Sequence, residues 1–242
     1  MSRWLFDLGN TRLKCAPLAD DGRIGEVHAI AHDGVGFEHG LACVLPARLD
    51  EACVASVAAA GLRVELLDAL ARRGARISLA RTSRRFGRMS VAYARPERLG
   101  VDRFLALLGA HAQEAGAALV VGVGTALTID WLDAQGRHRG GRIAPSPMLM
   151  RAALHARAAQ LPVAGGSYAE FAGDTDDALE SGCTGAALAL VERSLQAAAQ
   201  AGAMPRLLLH GGGAQALRER LPQAIDAPAL VLEGLAQWAR AT

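Results

Sequence analysis

Two stretches of the chain open in the same way, and that repetition limits the architectures open to it. Trp4 to Asp7 and Arg12 to Leu18 read as two strands joined by a turn at Gly9, Asn10 and Thr11. Ala118 to Val121 and Leu127 to Leu132 read as two more, with a Gly-rich turn between them. A third strand follows each pair, near Ile24 to Ile30 and near Gly140 to Ile143. Each set predicts a meander that gives way to strands and helices, and hence an internal duplication. The expected fold class is α/β, with halves at 1–116 and 117–242, a mixed sheet in each and a cleft between them. No short-period repeat accompanies it.

The remaining pattern fits two such halves. Ala52 to Val57 reads as a strand, Leu62 to Arg72 as a helix and Ala75 to Leu79 as a strand. Residues Val101 to Ala115 place Phe104, Leu107, Leu108, His111 and Ala112 at helical spacing, with Asp102 in the first turn. Met148 to Gln160 and Asp177 to Ala201 read as long helices, and Arg206 to His210 as a buried strand. A helix to Leu221, a short strand near Ala229 to Val231 and a C-terminal helix through Trp238 complete the prediction.

Composition removes several classes of function. Half of the 242 residues are hydrophobic (51%), spread in short blocks, as expected of a globular chain. Twenty-six basic residues stand against 24 acidic ones, a balance too even to draw the chain to nucleic acid or a membrane surface. The arginine run between Arg72 and Arg88 reads as a solvated basic face. Cys15, Cys43, Cys53 and Cys183 form no C-x-x-C pair and read as buried free thiols. No apolar run approaches the roughly 20 residues of a membrane span, and Arg3 and Asp7 interrupt the place of a leader's apolar region. The expected location is cytoplasmic. The seven histidines show no metal-ligand spacing, and no G-x-S-x-G nucleophile is present.

Four segments could carry chemistry, and each has a plainer reading beside it. Asp7-Leu8-Gly9-Asn10-Thr11-Arg12-Leu13-Lys14 puts a carboxylate at a strand end, backbone N–H groups in a tight turn and a lysine on the returning strand. Those parts suit a phosphate cradle with a metal-facing acid, or an ordinary hairpin. Gly122-Val123-Gly124-Thr125-Ala126-Leu127-Thr128 repeats the design, and two such turns are far less expected by chance than one. Gly211-Gly212-Gly213-Ala214 fits a wall beside a nucleoside or a simple strand-to-helix turn. In Tyr93 to Arg103, Asp102 could cap a helix or accept a proton from a substrate hydroxyl, with Arg103 holding a substrate oxygen.

Taken together these motifs resemble type III pantothenate kinase, a family of the actin, sugar-kinase and heat-shock-ATPase superfamily with duplicated ribonuclease-H-like halves. The resemblance rests on D-x-G-N-T-x-x-K at Asp7 to Lys14, G-x-D-R at Gly100 to Arg103 and G-T-A-x-T at Gly124 to Thr128. Tyr93, Pro96, Leu99, Gly140-Gly141-x-Ile143-x-Pro145 and Thr175-x-x-Ala178-x-x-x-Gly182 extend it along nearly the whole chain. It implies ATP-dependent phosphorylation of pantothenate to 4′-phosphopantothenate, the first step of coenzyme A biosynthesis. Asp7, Gly9, Asn10, Thr11 and Lys14 would then hold ATP phosphates, and Asp7 would hold Mg2+ through water. Gly124 and Thr125 would contact ATP, and Asp102 would be the general base. Tyr93, Gly100, Val101, Asp102, Arg103 and Thr175 would bind pantothenate. The resemblance also implies a homodimer.

Two positions depart from the family pattern. The resemblance implies a monovalent cation, K+ or NH4+, beside Mg2+, but Gly122 stands where many members carry the aspartate that resembles its ligand, so this chain lacks that carboxylate. Ser146 replaces the glycine that commonly follows Pro145. A non-catalytic regulator or scaffold retaining the kinase fold is the alternative from another class. Asp7, Lys14, Asp102 and Arg103 weigh against it, since such a protein has no physical need of all four.

Overall fold

A computed structural model describes residues 2–32, 37–114 and 116–241. The chain divides into two compact units, Met1–Ala115 with Ala229–Thr242, and Gly116–Pro228. The C-terminal segment, expected in the second half, therefore packs with the first.

In the first unit, β1 (Arg3–Leu8) pairs antiparallel with β2 (Arg12–Leu18) and parallel with β4 (Glu51–Ser56). With β3 (His28–Ala31) and β5 (Arg76–Leu79) the sheet order is β3-β2-β1-β4-β5. Strand alternation sends Trp4, Phe6 and Leu8 into one core with Leu41 of α1 (Glu38–Val44) and Leu66, Ala69 and Leu70 of α2 (Ala60–Arg72). Leu5 and Asp7 are thereby turned to the other face, where α3 (Val101–Gln113) packs on β4 and α7 (Leu230–Arg240) on β1, β2 and β4. This alternation is what carries Asp7 toward the helix that holds Asp102. A hairpin of β6 (Arg85–Phe86) and β7 (Met89–Ser90) sets the Phe86 ring edge-on to Phe104 of α3, at 6.4 Å.

Helices α3 and α7 cross at bare backbone. A Cβ on Gly109 would meet the Leu230 carbonyl oxygen at 2.4 Å, and one on Gly234 would overlap the Leu105 carbonyl. Only glycine permits that approach, which ties the C-terminal helix to the first unit.

The second unit repeats the plan, with the order β10-β9-β8-β11-β12 for β8 (Ala118–Val123), β9 (Ala126–Leu132), β10 (His138–Pro145), β11 (Arg206–His210) and β12 (Ala224–Asp226). Leu119, Val121, Val123, Leu127 and Ile129 face Ala187, Leu188 and Val191 of α5 (Thr175–Gln200) and Leu217 of α6 (Ala214–Arg218). Ser146, at φ −69°, is the N-cap of α4 (Pro147–His155) and accepts a hydrogen bond from the Leu149 N–H. Its backbone is one any residue adopts, so replacing glycine there costs nothing and adds a cap.

The structure corrects the sequence reading at several places. Ala229 to Val231, expected as a strand, enters α7, and the last strand is Ala224–Asp226. The third strand is shorter than expected, with Ile24 making only an isolated bridge to Leu18. Cys43, expected to be buried, is exposed.

Candidate functional site

In the first unit, Asp7 lies opposite Lys14 across the β1–β2 pair and beside Ala55 on β4. Paired residues of neighbouring strands point to the same face, so the carboxylate and the ammonium share one side of the sheet. The turn between them is closed by the Gly9 N–H, which donates to the Arg12 carbonyl at 3.1 Å. Asn10 and Thr11 are exposed at its tip. His32, buried directly after β3, holds the turn from behind: its ring Nε2 donates to the Gly9 carbonyl at 3.0 Å and its backbone N–H to the Thr11 carbonyl at 3.2 Å.

Asp102 is the second residue of α3, and Gly100, which has no side chain to offer, is the N-cap. Asp102 is therefore placed in the favourable field of a helix start without being the cap. A Cβ on Gly100 would sit 2.5 Å from Asp102 Oδ1, so the carboxylate leans back over that glycine. Val101 precedes Asp102 and is half-buried. Arg103 is buried and donates through Nη1 to the Tyr93 hydroxyl at 3.3 Å, its guanidinium 6.0 Å from the centre of the Tyr93 ring. Thr82 Oγ1 donates to the Leu99 carbonyl at 2.8 Å and steadies the approach to the helix.

Asp7 and Asp102 feel one another. Burial first, and then the Asp102 carboxylate, push the Asp7 carboxyl up from 3.8 to about 7, against the pull of Lys14. Lys14 is in turn lowered by burial and by Arg12, with Asp7 opposing. Two carboxylates and one ammonium on a half-buried face make a place where a cation and a polyanion would together relieve the carboxylate repulsion. No cluster of three or more His, Cys, Asp or Glu ligands occurs among the described residues. The acidic groups thus fit a cation held mainly by substrate oxygens and water, as Mg2+ is.

The second turn has the same frame with different contents. Gly122 pairs with Thr128 on β9 and His210 on β11, and the Gly124 N–H closes the turn onto the Ala126 carbonyl at 2.9 Å. Thr125 is exposed at its tip. A Cβ on Gly122 would meet Thr128 Oγ1 at 2.7 Å and His210 Nε2 at 2.9 Å, so the imidazole occupies the space a side chain at 122 would enter. Gly211, at φ +97°, and Gly213 press on Val123, and the Gly213 N–H donates to the Val123 carbonyl at 2.9 Å. At least these two glycines serve close packing. Thr175 is the first residue of α5, capped by Asp174, and lines an open hollow of about 570 Å³ with Gly166, Ser167, Asp174, Asp176 and Asp177.

Asp7, Gly9, Asn10, Thr11, Lys14, Tyr93, Gly100, Val101, Asp102 and Arg103 thus all belong to the first unit, while Gly124, Thr125 and Thr175 belong to the second. His32 and His210 carry no sequence signal of their own, since each acts on residues remote in the chain.

Comparison with known proteins gives the architecture and the family. A Campylobacter jejuni protein assigned to the Baf family of transcriptional activators superposes with a TM-score of 0.65 over 98% of each chain at 19% identity. A Sinorhizobium meliloti protein assigned as a 2-dehydro-3-deoxygalactonokinase superposes with a TM-score of 0.61 over 99% of this chain and 98% of its own, at 18% identity. These likenesses establish the duplicated actin-like and sugar-kinase fold alone. The type III pantothenate kinase of Stenotrophomonas maltophilia (strain R551-3) is 58% identical over 240 residues, covering 99% of this chain and 98% of its own. The family model for type III pantothenate kinase matches residues 4–197. With that match spanning most of its length, the chain belongs to the type III pantothenate kinase family.

Proposed function

We propose that this protein transfers the γ-phosphoryl group of ATP to the primary hydroxyl of pantothenate, giving ADP and 4′-phosphopantothenate, the first step of coenzyme A biosynthesis. The observation that carries the reading is that Asp102, at the start of α3, acts on the Asp7 carboxyl on the sheet face that Asp7 shares with Lys14. Phosphoryl transfer asks a protein for positioning, charge neutralisation and one base near the attacking oxygen, and this face supplies each.

The backbone N–H groups of the Gly9 to Thr11 turn and the Lys14 ammonium bind the ATP phosphates. Asp7 would hold Mg2+ through water, as the family pattern implies. When bound, the ion neutralises charge on the phosphates. Asp102 accepts the proton of the pantothenate hydroxyl as the new O–P bond forms and the bond from the γ-phosphorus to the β,γ-bridging oxygen breaks. Arg103, fixed by its burial and its contact with Tyr93, orients pantothenate, with Tyr93, Gly100 and Val101 lining the pocket. Gly124 and Thr125 are assigned to ATP, and Thr175 to pantothenate, on the family pattern alone.

The position of Gly122 does not suit a monovalent-cation site. It offers no carboxylate, and His210 and Thr128 fill the space in which one would stand. The reading is therefore a magnesium-dependent kinase without a K+ or NH4+ requirement.

The protein is further proposed to act in the cytoplasm as a homodimer. Cysteines that are free thiols, here Cys15, Cys43, Cys53 and Cys183, suit a reducing compartment, and no described helix is long and apolar enough to cross a membrane. Ile143 on β10, Met148 on α4 and Phe171 are large, apolar and exposed, at 65%, 65% and 99%, as residues that a second copy covers would be.

The test is ADP release by purified protein with ATP, Mg2+ and pantothenate. Pantothenate-dependent turnover is expected, and Asp102→Asn should lower kcat by about 10²–10⁴ while leaving the melting temperature close to that of the parent. Absence of turnover in the parent, or a fully active Asp102→Asn variant, would remove the proposal.

A further inference from the structure

From the geometry behind the first turn we infer that His32 is a positioning residue for the nucleotide: it fixes the direction of the Asn10 N–H as a phosphate donor. This rests on the proposed ATP role of that turn.

The Gly9 carbonyl can only accept, so the ring atom 3.0 Å from it, Nε2, carries the proton. The Nδ1 atom is buried and has no hydrogen-bond partner among the described residues. Of the two tautomers, the one with its proton on Nε2 is therefore the one that satisfies the Gly9 carbonyl. The ring is further held at its position by an edge-on contact with Phe37, the centroids 5.8 Å apart. A second bond, from the His32 backbone N–H to the Thr11 carbonyl, ties the far side of the turn to the same residue.

The consequence follows from the peptide unit. In a planar trans peptide the C=O of one residue and the N–H of the next point in opposite directions. Holding the Gly9 carbonyl toward His32 therefore directs the Asn10 N–H away from it, toward the exposed side of the turn. Exposed residues at the tip could otherwise rotate that peptide freely, and a donor that must be oriented at the moment of binding contributes less affinity than one already in place. His32 thus acts on the nucleotide through Gly9, without touching it.

The experiment compares His32→Phe, which keeps an aromatic ring against Phe37 but removes the donor, with His32→Asn, whose amide is too short, and His32→Gln, whose amide nitrogen reaches the place of Nε2. Mg-ATP affinity is measured by calorimetry, with KM for ATP and for pantothenate and the melting temperature of each variant. Phe and Asn are expected to weaken Mg-ATP binding and raise KM for ATP about five-fold, with KM for pantothenate within about two-fold and Gln restoring most of the loss. Unchanged ATP affinity in Phe and Asn, a Gln variant no better than Phe, or equal shifts in both KM values would overturn the inference. So would failure of all three to fold, because position 32 would then serve the fold at large. A parent protein that binds no ATP would instead sink the reading of the turn itself.

Discussion

The first and second units place the same strand order under two chemically different turns. Asp7, Lys14 and Ala55 occupy three adjacent strands in one sheet, and Gly122, Thr128 and His210 occupy the corresponding strands in the other. Where the parallel neighbour is small, as at Ala55, the strand end can carry a carboxylate. With His210 as the neighbour, a side chain at that same strand end would press on the imidazole and on the Thr128 hydroxyl. A shared backbone therefore does not impose a shared charge: the first turn concentrates ionised groups and the second avoids them.

The largest effect should come from removing the first turn's charge. Asp7→Asn is expected to lower kcat/KM by about 10²-fold or more, because a neutral amide gives up the charge that holds the cation. The same change should alter stability in the opposite direction. The folded Asp7 carboxyl titrates at about 7 and the unfolded one near 3.8, so the folded state retains a proton that the unfolded state has released. The stability due to this group is fully present below the unfolded value and is lost as pH rises through the folded one. Ligand-free protein should melt lower at pH 8 than at pH 5, and Asp7→Asn should flatten that dependence and raise the melting temperature at pH 8 by about 3–6 °C. A parent whose melting temperature is level between those pH values would contradict the burial and repulsion assigned to Asp7.

The two turns were legible in the sequence because their signals are local: alternating apolar residues, a glycine at the turn, and polar groups at fixed offsets. Helix α3 was legible for the same reason, its apolar residues recurring at helical spacing after Asp102. What failed to show depends on contacts between distant segments. Helix α1 contains Gly40, whose position allows close packing on Ile30, so tertiary contact forms a helix that its own residues favour weakly. The two-residue strands β6 and β7 are too short for any periodicity. The run at Ala229 to Val231 is apolar enough for a strand, and it becomes helix because Leu230, Gly234 and Leu235 continue the face that crosses α3. At the site, the motifs picked out candidate residues but not the burial that moves Asp7, nor the bond from His32 to Gly9 or the closeness of His210 to Gly122.

A smaller effect should sharpen the comparison of the two strand ends. Gly122→Ala is expected to cost about 1–3 kcal/mol in urea unfolding, since its Cβ would press on His210 and Thr128. In Gly122→Ala with His210→Ala the imidazole is gone, and the loss should be clearly less than the sum of the two single changes. Additive losses would mean that His210 does not set the identity of residue 122. At the matching position of the first unit, Ala55→His should be poorly tolerated while Asp7 is present, and less damaging in an Asp7→Gly background.

The smallest expected effect is an absence of response. Hard monovalent cations are held by oxygen ligands, and an anionic carboxylate is the strongest of these. Gly122 supplies none, and the groups standing in that space are the uncharged Thr128 hydroxyl, 2.7 Å from a Cβ built at Gly122, and an imidazole nitrogen of His210 at 2.9 Å, both weaker partners for such ions than a carboxylate. Turnover in potassium or ammonium chloride should therefore match that in sodium or choline chloride within about two-fold at equal ionic strength, where general screening is held constant. Activation by potassium well beyond that range, surviving in Thr128→Val, would show that a cation finds its oxygens elsewhere. Activation lost in Thr128→Val would instead show that the second turn keeps a cation site without its carboxylate, and that the charge contrast between the turns is one of degree.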